Sequence, residues 1–231
     1  MDDGLHGAVG RLSVIAVTGL GLGVLVGGVL GRLAMFLLVH LTPEARGLTS
    51  DDGFVMGRFT VSGSLNLLFV GGVLGVIGGA VYAAVRWLQP RDLRLRIAAT
   101  AACAGVGVAA LVVHRDGVDF TRLEAVPAIA LFVLVPGVYG ALLAAVVETV
   151  LARHPDGPSR AWARWLGLLP FVVVPVLPVF ALAWGLGRVS AGTRLAEVLR
   201  SAPLRWTGRL VASGAFVLLT RDLLLDTAAL T

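Results

Sequence analysis

Gly19-Leu20-Gly21-Leu22-Gly23-Val24-Leu25-Val26-Gly27-Gly28-Val29-Leu30-Gly31-Arg32 is the stretch whose reading decides the fold. Glycines 19, 23, 27 and 31 recur every four residues, so one face of a helix here is nearly bare backbone. In water each interior glycine costs a helix about 1 kcal/mol against alanine. In lipid, helical backbone bonds are obligatory, and small residues let a neighbouring helix approach closely. The stretch therefore reads as the packing face of a membrane-spanning helix. It ends on Arg32, a charge that lipid tolerates poorly without a partner.

Composition extends this reading to the whole chain. Its 231 residues are 57% hydrophobic and 14% charged, with a mean hydropathy of +0.90. That combination excludes an ordinary soluble domain. All 19 basic residues are arginine, and the net charge is +5. In a soluble protein such a surplus points to nucleic acid. Here the arginines lie in short loops between apolar runs, where they set orientation in the bilayer, and no nucleic-acid partner is expected. The single cysteine, Cys103, excludes an intrachain disulfide and reads as a small packing residue. Only Arg11 precedes the first apolar run, which is too long for a signal peptide, so it reads as an uncleaved first span.

A hydrocarbon core of about 30 Å takes about 20 apolar residues in a helix. The runs are 12–41, 65–85, 97–113, 125–151, 165–186 and 210–230. They predict a single all-α domain, a transmembrane bundle of six spans. Five spans plus a re-entrant or interfacial element is the alternative, because Pro170, Pro175 and Pro178 interrupt the fifth run. The second run carries Gly71, Gly75 and Gly79, so a glycine zipper between the first two spans is the expected core. Between them, Asp52-Gly53 flanked by β-prone residues predicts a turn or small hairpin at the membrane surface. Val26–Gly31 recurs as Val70–Gly75. Biased composition accounts for this better than an inverted repeat of the transporter kind.

Arginine counts orient the chain. With the N-terminus inside, the inner segments hold Arg11, 86, 91, 94, 96, 153, 160 and 164, and the first outer loops hold Arg46, 58, 115 and 122. A multi-pass protein of the cell membrane with a cytoplasmic N-terminus follows. Arg188, 194, 200, 205 and 209 contradict that orientation unless the fifth run turns back. Trp87, Trp162, Trp165, Trp184 and Trp206 fall at span ends, as an aromatic belt requires.

Charged residues within spans are the candidates for function. Arg32 sits about 9 Å outward of its span's midpoint and Glu148 about 15 Å inward of its own, at about 1.5 Å per residue. They lie too far apart to pair. Asn66 and the loop residues Asp51 and Asp52 match the depth of Arg32, which either pins that loop or snorkels to the interface. Glu148 reaches water, pairs with Arg153 or another inner-loop arginine, or acts as a proton relay. Asp222 and Asp226 share a face with i, i+4 spacing beside Arg221, forming a buried network or the polar side of an interfacial helix.

The outer Asp51, Asp52, Asp116, Asp119 and Glu124 lack calcium-loop spacing, and the scattered histidines lack metal spacing. Nucleophile elbows, phosphate loops and dinucleotide fingerprints are absent from the sequence. No enzyme activity, metal or cofactor is expected.

Three blocks carry a resemblance. Gly31-Arg32-Leu33-Ala34-Met35, with Thr49-Ser50-Asp51-Asp52-Gly53 leading to Phe59-Thr60, is the first. Asp116-Gly117-Val118-Asp119-Phe120, ahead of Ala130-Leu131-Phe132 and Tyr139-Gly140, is the second, and Arg221-Asp222 the third. Together they resemble a group of multi-span membrane proteins from actinobacteria. The resemblance implies the same helical architecture with Asp-rich outer loops, and it carries over no catalytic residue.

Two functional classes follow. One is a structural or accessory protein that packs, within the bilayer, against its own copies or other membrane subunits. The other is a small-molecule or ion transporter or channel that uses Arg32, Glu148 and the Arg221-Asp222 pair.

Overall fold

Lipid offers no water to replace a lost backbone hydrogen bond, so long apolar runs close their bonds within helices. The computed structural model describes residues 3–47, 60–113, 124–174 and 202–230, and their regular structure is entirely helical. α1 (Asp3–Leu22) passes through a π-helical segment (Gly23–Leu30) into α2 (Gly31–Leu41). Then come α3 (Val61–Val85), α4 (Leu93–Val112) and α5 (Ala125–Arg153). Two short helices follow, α6 (Ala161–Leu166) and α7 (Leu169–Val173), and α8 (Ala202–Leu230) closes the series.

Among the described residues, His6–Leu41, α3, α4 and α5 are long and apolar enough to cross a membrane. The chain is thus an all-α membrane protein. α8 has the length, at 29 residues, but Arg221, Asp222 and Asp226 interrupt its apolar run. The run expected at 165–186 begins as α6 and α7, parted at Gly167 and Leu168. Its continuation from 175 lies outside the described residues, as do the expected hairpin and the Asp-rich stretch 114–123.

Capping moves two helix starts ahead of the apolar runs. The Thr60 hydroxyl accepts from the Gly63 N–H at 3.2 Å, so α3 begins at Val61 rather than 65. The Asp92 carboxylate accepts from the Leu95 N–H at 2.9 Å, so α4 begins at Leu93 rather than 97. These caps satisfy orphan N–H groups that hydropathy does not register.

The π segment falls on the glycine repeat for a geometric reason. A four-residue repeat drifts by about 40° per step around an α-helix of 3.6 residues per turn. A π-helix, with i→i+5 bonds and about 4.4 residues per turn, drifts the other way. Alternating the two holds Gly19, Gly23 and Gly27 on one side, against α3. A Cβ at Gly19 would lie 2.6 Å from the Gly75 carbonyl oxygen, and one at Gly27 would lie 3.1 Å from the Gly71 Cα. At Gly23 it would overlap the Gly71 carbonyl oxygen. Gly79 completes the contact, its Cβ position 3.2 Å from the Ile15 carbonyl oxygen. Gly31 departs from the expected face: nothing lies within 4 Å of its Cβ position. Crossing helices touch over a few turns, and these two have parted by that point.

The other helices assemble around this pair. A Cβ at Gly105 of α4 would lie 2.7 Å from the Val133 carbonyl oxygen of α5, and one at Gly140 of α5 would lie 2.7 Å from that of Thr100. The Tyr139 hydroxyl donates to the Gly75 carbonyl at 2.6 Å and ties α5 to the middle of α3. One apolar core contains Ile15, Val76, Tyr82, Leu143, Val147 and Phe171. The other contains Leu38, Ala109, Val113, Ala128, Ile129 and Leu223. Cys103 is exposed on α4, so it is not the packing residue expected of it. The flanking Ala-Gly turns already meet α5 through backbone and leave that side chain outside.

Candidate functional site

Glu148 lies near the C-terminal end of α5 and collects polar groups from two other helices. Tyr82 and Arg86 are four residues apart at the end of α3, so they share a face. A short connection then turns the chain into α4, whose first turn supplies Arg96. The Tyr82 hydroxyl donates to Glu148 Oε1 at 2.6 Å. Arg86 donates from Nε to Oε1 at 2.6 Å and from Nη2 to Oε2 at 2.8 Å, a two-point grip. Arg96 Nη1 lies 2.7 Å from Oε2. Both carboxylate oxygens are therefore occupied by donors.

A second layer supports the first. Arg96 Nε donates to the Pro90 carbonyl at 2.9 Å. The Thr100 hydroxyl donates to the Arg96 carbonyl at 2.8 Å and accepts from Gln89 Nε2 at 3.2 Å. Gln89 Oε1 is buried without a hydrogen-bond partner among the described residues. The Glu148 and Arg96 side chains are 13% and 14% exposed, against 32% for Arg86. The hydrogen bond from Arg86 to Glu148 raises the guanidinium above its already high value, so its charge is permanent.

A partly buried carboxylate held by two cations resists removal of either partner far more than it stabilises the fold outright. Chemically this is a clamp on α3, α4 and α5. It presents no nucleophile. Among the described residues no group of His, Cys, Asp and Glu is placed to hold a metal.

The remaining candidates lie elsewhere. Arg32 is half-buried in the first turn of α2, and Asn66 is exposed on α3. Asp51 and Asp52 lie outside the described residues. Arg221 and Asp222 are exposed and Asp226 is half-buried. Their neighbour Leu223 packs with Leu38, Val113 and Ile129, which puts the group at the end of the bundle away from Glu148. At that far end the Thr42 hydroxyl accepts from the Glu124 N–H at 3.2 Å. Arg32 and Glu148 lie on opposite sides of the Gly23–Gly75 contact along the helices.

Glu148 is brought together with Arg86 at the end of α3 and Arg96 in the first turn of α4, while Arg153 is exposed. Tyr82 is the member that sequence reasoning missed. Its spacing of four from Arg86 was the available signal. No protein-family model, curated protein or solved structure matches this chain.

Proposed function

We propose that this protein is a structural or accessory membrane protein, which packs against other helices as its own oligomer or beside partner subunits. One observation carries the reading: the charged groups that a conduit would have to join lie at opposite ends of a closely packed bundle. Between Glu148 and the Arg32 level stand the Gly19–Gly27 contact with α3 and the Tyr139–Gly75 hydrogen bond. The Glu148 oxygens already accept from three residues, which favours a clamp over a relay.

The same layout supports an odd number of crossings, with the N-terminus cytoplasmic. Val174 packs on the core at the Glu148 end, and Arg209 bonds the Leu88 carbonyl at that end too. α8 then runs to the opposite core through Leu223. This arrangement fits five spans plus a returning element, and it gathers the late arginines on the basic side.

Purified protein in sealed liposomes, followed with pH- and potential-sensitive dyes, tests the reading. The expected flux equals that of protein-free liposomes. Flux that disappears in Glu148→Gln would overturn it in favour of transport.

A further inference from the structure

Where α8 begins, it packs on the α3–α4 connection, with Gly208 against the Leu88 side chain, and an open depression of about 460 Å³ lies alongside. Trp87, Leu88, Thr207, Val211, Ala212 and Ala215 are among its walls, which are almost entirely apolar. Trp87 and Trp206 flank it, 51% and 61% exposed. Indole rings at this level mark the boundary between acyl chains and headgroups.

Arg209 stands beside the cavity. Its Nε donates to the Leu88 carbonyl at 2.8 Å, and its guanidinium lies 5.2 Å from the Trp206 ring. The connection itself carries a positive surplus. Glu148 is shared by Arg86 and Arg96, and Asp92, whose carboxylate also caps α4, leaves one net positive charge against the exposed Arg91 and Arg94. An apolar depression with Arg209 beside it, next to a connection of net positive charge, complements a lipid that has one acyl chain to insert and a negative headgroup to place.

We propose that this cavity binds an anionic phospholipid of the leaflet at the basic end. One acyl chain lies along Val211, Ala212 and Ala215, and the phosphate meets Arg209 with Arg91 and Arg94. The site goes beyond the accessory role and requires only that the helices cross a bilayer. Arg209 and the net positive connection give it a preference for charged over zwitterionic lipid.

Native mass spectrometry of the intact protein, released from vesicles of equal phosphatidylcholine and phosphatidylglycerol, tests the site. The wild-type chain should retain phosphatidylglycerol over phosphatidylcholine by about five-fold or more, the effect of one net cation near the surface. Ala212→Phe fills the slot and should lower total retained lipid several-fold. Ala215→Phe, on the same wall, serves if that variant fails to fold. Arg91→Gln combined with Arg94→Gln alters exposed positions and should reduce the preference while retention persists. Equal retention of the two lipids by the wild type would overturn the proposal. So would undiminished phosphatidylglycerol retention in a folded slot-filling variant.

Discussion

Glu148 is the residue through which three helices meet, and its removal shows what the clamp contributes. Glu148→Ala leaves Arg86, Arg96 and the Tyr82 hydroxyl facing one another without their shared acceptor. Breaking a buried pair in this way costs roughly 2–4 kcal/mol, discounted for the partial exposure of Arg86. Thermal unfolding in detergent should register the loss as a clear fall in Tm. Tyr82→Phe removes one hydrogen bond to a charged acceptor and should cost less, about 1–2 kcal/mol. An unchanged Tm for Glu148→Ala would mean that the clamp carries no load. Sequence alone placed Glu148 at the depth of the inner arginines, because depth follows from counting residues along a helix. It left open which arginines pair, since that depends on how the α3–α4 connection turns. A tyrosine at a span end also reads as one more belt aromatic, which hid Tyr82.

At the scale of elements, the joint between the first helix and α3 is backbone against backbone, and its glycines are not equivalent. Gly23→Ala would drive a methyl into the Gly71 carbonyl, whereas Gly31→Ala enters open space. Overpacking of this kind costs about 1–3 kcal/mol, so Gly23→Ala should lower Tm and the yield of folded protein. Gly31→Ala should leave both unchanged or slightly raised, because alanine is the better helix former. Equal effects at the two positions would contradict the geometry. The glycine repeat was legible, but its reach was not. A four-residue period fits neither helix type exclusively, and hydropathy gives no sign of a switch from α to π at Gly23. Helix crossing then removes Gly31 from the contact. The starts of α3 and α4 were likewise hidden, behind the polar first turns capped by Thr60 and Asp92.

At the scale of the whole molecule, the four long apolar helices were readable because composition and length together leave few alternatives for such runs. The last third of the chain was harder to read. Prolines interrupt one run, and Arg221, Asp222 and Asp226 interrupt the other, so hydropathy does not say whether each crosses as one straight helix. The path of α8 from Arg209 to Leu223 makes a specific claim about sidedness. In a Cys103→Ser background, Arg91→Cys and Ala229→Cys should react with a membrane-impermeant maleimide from opposite faces of the membrane. Labelling of both from one face would show that α8 does not cross. On the proposed reading, this chain packs with others in the bilayer and does not conduct on its own. The mass of the particle released by a mild detergent tests it most directly. The expected particle is larger than one 24.0 kDa chain, made of whole copies or of this chain with a stoichiometric partner. A bare monomer at every concentration, with no partner protein retained, would contradict it.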